Sequence, residues 1–291
     1  MTTASILCIY HAHCADGFGA AWVVRRRFGS EVGFHAASHG EPAPDASGKH
    51  VVIVDFAYPL DTLTAMATTA LSVLVIDHHK TAQADLAGVE PAPGHWPQHS
   101  LHGLRAVFDM DRSGAGLTWD YYFKDEPRPD LINHIEDRDL WHFRLAGTRE
   151  ITANLFSHPQ DFEVWDTLMA MPASALHGEG AAIERSRRRE LRALLRATWR
   201  RMTIAGFDVP TANLPFTHAS DAGNLMCDGE PFAAIYWDTP HGRAFSLRST
   251  DAGEDVSVIA RRFGGGGHRN AAGFSVPYGH ALTLYAVQGD D

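Results

Sequence analysis

Three short apolar runs, SILCIYHAHC, HVVIVDFA and LSVLVIDHH, fall in the first third of the chain, and each ends in acidic or imidazole side chains. They are apolar throughout instead of alternating, and rich in β-branched residues. Both properties suit strands buried on two faces. Such strands belong to a parallel sheet with helices packed outside it. The intervening segments fit those helices. GFGAAWVVRRRFG is apolar at helical spacing and stops at Gly29, and PLDTLTAMATTA begins with proline, a favoured first-turn residue. SGAGLTWDYYF and DLINHIEDRDLW read as further helices, after a loop rich in Pro, Gly and His from about Gly88 to Leu104. The expected fold class is therefore α/β, a mostly parallel sheet flanked by helices.

At 291 residues the chain has room for a second core. The expected division is 1–179 for the α/β domain, 180–202 for a linker helix and 203–291 for a smaller α+β unit. The linker is placed from Gly180 to Met202 because its arginines cover too much of the circumference for a buried helix. In the last unit strands are expected near TIAGFDV, FAAIYWD, RAFSLRS and AGFSV, with a helix from Asp255 to Phe263 and a hairpin at DTPHGR.

Composition excludes several classes. No apolar run reaches the roughly 18 residues that span a bilayer, and MTTASILCIY lacks a basic leader region and reads as a first strand. No membrane partner is expected. Cys8, Cys14 and Cys227 form no CxxC pair, which suits free thiols in a reducing cytoplasm. A formal net charge of −10 repels long polyanions and leaves a small anionic substrate as the better partner. The exception lies between Glu184 and Arg201, where eight arginines meet two glutamates. That stretch is either a solvated helix face or a surface for acidic partners.

The acidic and imidazole groups fall at the C-terminal ends of the three strands. In open α/β sheets ligands bind in the crevice beyond those ends, so His11, Asp16, Asp55, Asp77, His78 and His79 are expected to converge. Carboxylates converging with imidazoles imply a divalent metal, Mn²⁺, Fe²⁺ or Zn²⁺, and the lack of thiolate pairs argues against structural zinc. The glycine run GGGGHRNAAG lets backbone N–H groups approach a phosphate, with His268 and Arg269 adding positive charge. SGAGLTW reads as a packed helix start capped by Ser113, and Trp141 and Phe143 as core.

Together HAHCADGFGAAW, VIVDFA, DHH after its strand, IEDRDLW and GGGGHRNAAGF resemble the DHH phosphoesterase superfamily, a DHH domain followed by a DHHA1-type domain. The motifs stand in order at about residues 5–24, 51–57, 73–80, 113–142 and 244–275. The resemblance implies one or two divalent ions, usually Mn²⁺, held by His11, Asp16, Asp55, His78 and Asp137, with Asp55 bridging and Asp139 competing with Asp137. It implies a catalytic set of Asp55, Asp77, His78 and His79. Asp77 would orient His78, and His79 would face the phosphate. It also implies substrate contacts from His79, Arg248, Gly265, Gly266, Gly267, His268 and Arg269. The first motif departs from the family pattern. Cys14 stands where an aspartate is usual, and His13 rivals His11. Either Cys14 supplies a thiolate or the site holds one ion until substrate arrives.

The activity implied is hydrolysis of a phosphodiester or phosphomonoester in a short oligonucleotide or nucleotide-like molecule, with a homodimer among the assemblies allowed. A catalytically weakened nucleotide sensor is the alternative that Cys14 raises. A nucleic-acid-binding protein using the arginine helix is a third.

Overall fold

The computed structural model describes residues 5–93 and 103–284. Residues 94–102 of the expected Pro/Gly/His loop lie outside them. The chain divides into two compact units between Ser186 and Arg187.

The first unit is built on five parallel strands, β1 (Ile6–His11), β2 (Val32–Ala37), β3 (His50–Val54), β4 (Ser72–Asp77) and β5 (Leu104–Phe108), in the order β2-β1-β3-β4-β5. The central strands are buried on both faces, as their continuous apolar runs require. Alternate residues supply two cores. Ile6, Cys8, Val52, Val54, Leu74 and Ile76 point to one, and Leu7, Ile9, Val51, Ile53, Val73 and Val75 to the other.

The first core is covered by α1 (Ala15–Phe28), α4 (Gly114–Phe123), α5 (Asp130–Asp139), α6 (Thr148–Leu155) and α7 (Phe162–Ala170), and the second by α2 (Leu60–Thr69). A short helix, α3 (Lys80–Asp85), follows β4. Helix α1 ends as expected, with Gly29 as C-cap at φ 58°. Ser113 caps α4 by accepting from the Gly116 N–H.

Helix α8 (Ala173–Thr198) contains the boundary between the units. The expected linker helix ran to Met202, but residues from Trp199 onward form strand β6 (Trp199–Ile204). The run TIAGFDV, expected as one strand, is a tight hairpin. Ala205 and Gly206 both take positive φ, 54° and 92°, and join β6 to β7 (Phe207–Asn213), as a two-residue turn between right-twisted strands demands.

The second unit continues with α9 (Ala219–Met226), β8 (Ala233–Thr239), β9 (Gly242–Arg248), α10 (Val256–Arg261), β10 (Gly266–Gly267) and β11 (Ala271–Pro277). Its sheet order is β10-β11-β9-β8-β7-β6. DTPHGR is the expected hairpin, with Thr239 opposite Gly242. The observed class is thus the expected one, an α/β unit followed by a smaller α+β unit. Among the described residues no helix is long and apolar enough to cross a membrane.

Trp165 is 1 % exposed in the first core and donates its indole N–H to Pro159 O. Trp165→Ala is expected to lower stability by about 3–5 kcal/mol. Urea unfolding monitored by circular dichroism measures this, and a loss below about 1 kcal/mol would mean that the core collapses onto the gap.

Candidate metal centre

Register sets the site. β1, β3 and β4 are adjacent, with Tyr10 opposite Val54 and Val54 opposite Ile76, so His11, Asp55 and Asp77 leave the sheet at one level. Asp55 takes a left-handed backbone, φ 53°, which aspartate tolerates better than most residues. Such conformations cluster at functional sites. Asp55, Asp77, His78 and Asp16 are all buried.

Two donor groups share Asp55. On one side, His11, Cys14 and Asp55 bring one ligand atom each within 4.8 Å of one another, and His11 Nδ1 stands 3.6 Å from Asp55 Oδ2. On the other, His78 Nε2 lies 3.0 Å from Asp55 Oδ1 and 3.6 Å from both Asp16 Oδ2 and Asp139 Oδ2. Each carboxylate oxygen of Asp55 therefore faces a different group, the arrangement a bridging ligand needs. His13, the rival to His11, joins none of these groups.

The N-terminus of α4 closes the floor of the site. The N–H groups of Gly114 and Ala115 donate to the Asp16 carboxylate. A Cβ on Gly114 would lie 2.5 Å from Asp55 Cβ and 2.9 Å from Asp16 Oδ2. A Cβ on Gly17 would meet His11 O at 2.5 Å and Asp55 Oδ2 at 3.1 Å. Both glycines build the site, a role that a reading of SGAGLTW as packing alone misses. Glu136 secures the same helix start by accepting from Arg112 Nε, the Ser113 N–H and Arg128 Nη1.

Asp137 and Asp77 make contacts other than those expected of them. Asp137, expected as the ligand from the fourth motif, points elsewhere. Its carboxylate accepts from the N–H groups of Arg144 and Leu145 and from the Thr148 hydroxyl, tying the start of α6 to α5. Asp139 takes its place beside His78. Helical phase separates the two, because Asp139 follows Asp137 by two residues, about 200° around the helix, so that Asp137 is buried under the start of α6 and Asp139 stands at the more exposed end of α5 beside His78. Asp77 was expected to orient the His78 ring. Its Oδ1 accepts instead from the His78 backbone N–H and from His79 Nδ1, at 2.8 and 2.7 Å.

The electrostatics favour a cation. Burial and the carboxylates of Asp55 and Asp139 push Asp16 well above its ordinary pKa. Burial alone would lower His78, but Asp55, Asp139 and Asp16 outweigh it and raise the imidazole well above its usual value. Burial also opposes charge on Asp55, yet the imidazoles of His11 and His78 beside it hold it well below the carboxylate range. For His79, burial is likewise outweighed, here by Asp77, and its pKa is raised. Desolvation and the charges of Asp55, Asp139 and Asp16 push the Cys14 thiol well up. A proton on His78 thus offsets the surrounding negative charge where a divalent ion would do so better. Asp55 Oδ2 is buried without a hydrogen-bond partner, a costly state that a cation relieves. On the chemistry of the donors and this orphaned oxygen, the residues fit a divalent ion.

The second unit holds the remaining site candidates. Arg248 donates to Ser246 Oγ, Leu247 O and Ser220 Oγ. Arg269 Nη2 donates to Asp251 O and Gly253 O, which fixes that turn. Gly266 and Gly267 pair with Gly273 and Ala272, while the N–H groups of Gly265 and His268 donate to Ala260 O and Ala271 O. The glycine run is thus the edge of a sheet, with those two N–H groups already engaged. Trp141 and Phe143, expected in the core, are half-buried. Both have positive φ, and Arg149 lies 3.6 Å from the centre of the Phe143 ring.

Among solved structures, a DHH-domain protein described as a member of a family of ribosomal proteins matches at 13 % identity and TM-score 0.58, over 94 % of this chain and 83 % of that one. The fold of this chain is similar to that of this DHH-domain protein. The exonuclease RecJ bound to manganese matches at 15 % identity and TM-score 0.50, over 94 % and 86 % of the two chains. No family model matches the chain. An uncharacterised protein of Acanthamoeba polyphaga mimivirus is 29 % identical over 299 residues, covering 92 % of this chain. The chain spans 66 % of that relative's length.

Two expected outcomes follow from the geometry. Asp139→Asn should weaken Mn²⁺ binding at least about tenfold with little change in Tm. Asp137→Asn should instead cost about 1–3 kcal/mol of stability by mismatching its three donors. Calorimetric titration and thermal unfolding of both variants separate the roles, and the reverse pattern would restore Asp137 as the ligand. In addition, an incoming ion must displace the His78 proton. Mn²⁺ affinity should therefore rise with pH, about tenfold per unit for one proton released, until the raised pKa of His78 is passed. Titrations in buffers of different ionisation enthalpy count that proton, and an affinity independent of pH would contradict the assignment.

Proposed function

We propose that the chain is a divalent-metal-dependent phosphoesterase that hydrolyses a phosphodiester or phosphomonoester in a short oligonucleotide or nucleotide-like molecule. The observation that carries this reading is Asp55, which groups with His11 and Cys14 and has one carboxylate oxygen toward His11 and the other toward His78. His11, Asp16, Asp55, His78 and Asp139 would hold the metal, with Cys14 considered below. A bound ion supplies Lewis acidity and a nucleophile from water at neutral pH. Manganese is the expected ion, and the manganese-bound RecJ exonuclease of the same fold supports that choice.

The protein's own groups do the rest. Asp77 holds the His79 ring through Nδ1 and raises its pKa, a bias toward the cationic form that suits non-bridging phosphate oxygens. The α4 N-terminus keeps the Asp16 carboxylate in one orientation through two N–H donors. Arg248 and His268 remain the candidates for substrate contact from the second unit. The net charge of −10 favours short substrates over long duplexes.

The test is an assay with Mn²⁺ over short oligonucleotides, dinucleotides and bis-p-nitrophenyl phosphate. Turnover is expected, and Asp55→Ala or His78→Ala should reduce it by more than the roughly 10–100-fold that loss of an outer partner costs. Wild-type rates no higher than those of the two variants, with nucleotide still bound, would favour a sensor.

A further inference from the structure

Cys14 caps the start of α1, yet its side chain makes no capping hydrogen bond. A thiol is a poor choice there if capping were its purpose. Its sulfur instead joins His11 and Asp55 in the first donor group. Two further observations point to a ligand in that group. Asp55 Oδ2 is buried, faces it and has no hydrogen-bond partner. The distance from His11 Nδ1 to Asp55 Oδ2, 3.6 Å, is too long for a hydrogen bond. It matches the edge of about 3.3–3.7 Å expected between donors that surround one ion tetrahedrally at 2.0–2.3 Å.

We propose that His11, Cys14 and Asp55 form a nitrogen–sulfur–oxygen site that takes Zn²⁺ in preference to Mn²⁺. The proposal rests on the metal-centre reading above and makes it specific to this chain. A thiolate is a soft donor, and it favours zinc where carboxylate, carbonyl and water favour manganese. Three protein donors leave a fourth tetrahedral position open, the pattern of a catalytic zinc site rather than a structural one. The second group, Asp16, His78 and Asp139, with Asp55 Oδ1 3.0 Å from His78 Nε2, contains no sulfur and keeps the harder preference. The two halves of the centre therefore differ in kind. On coordination the Cys14 S–H bond breaks, the proton passes to solvent and a sulfur–metal bond forms, with no change of oxidation state.

Co²⁺ is the probe, as a spectroscopic substitute for zinc. Added to the metal-stripped full chain, it should give a near-ultraviolet thiolate-to-cobalt charge-transfer band. That band should be lost in Cys14→Ser and kept in Cys227→Ser. Zn²⁺ should abolish it at concentrations where Mn²⁺ leaves it intact, and Cys14→Asp should remove the band and shift the preference toward Mn²⁺. As a check that needs no variant, Zn²⁺ should slow alkylation of Cys14 in the wild-type chain, read by peptide mass mapping. Cobalt binding without a charge-transfer band, or a band that survives Cys14→Ser, would overturn the thiolate while leaving the metal centre standing. Zinc and manganese displacing cobalt equally would overturn the selectivity. No cobalt binding at all would overturn the proposal together with the reading beneath it.

Discussion

A buried carboxylate that faces two ways is the constraint on which the first unit depends. Asp55 leaves β3 in a left-handed turn, and each of its oxygens meets a different set of donors. Burying that charge is unfavourable unless the surroundings answer it. Around it the chain places His11, His78, two glycines without which no room would remain, and the start of α4 beneath Asp16. The parallel sheet makes this arrangement geometrically possible, because neighbouring strands in register end at the same level.

Beyond the donors lies a layer that fixes them. Asp77 holds His79, Asp137 ties α6 to α5, and Glu136 gathers Arg112, Arg128 and the start of α4. Along α5 three acidic residues thus do three different jobs within one turn. Glu136 positions the neighbouring helix, Asp137 anchors the next segment and Asp139 enters the centre. Their division of labour follows from helical phase alone, since successive residues rotate by about 100°.

Much of this is legible in the sequence. Strands buried on both faces announce themselves as unbroken apolar runs, which is why β1, β3 and β4 and the residues at their ends can be read. β2 and β5 lie at the sheet edges, their burial is partial, and VGFHAA and LRAVF carry no such mark. Helices α6 and α7 are likewise unmarked. In TIAGFDV the Ala-Gly pair is a turn signal inside an apolar run, easily passed over because alanine is a poor candidate for positive φ. Motif spacing leaves the choice between Asp137 and Asp139 open, and the partners of Asp137 at the start of α6, which lie outside any motif, are what separate them. Gly17 and Gly114 act through the absence of a Cβ, and only the fold shows what that absence admits.

The donors of the centre come from residues 11 to 139, contributed by three strand ends and two helices. Contacts so far apart along the chain are closed late, because the entropy of long loops must be overcome first. During synthesis, then, no nascent chain shorter than the end of α5 can assemble the cation site. A chain that has passed α5 already carries every donor although α6 and α7 of the first unit are still to come, so an ion, where one binds, would meet its ligands before that unit is complete.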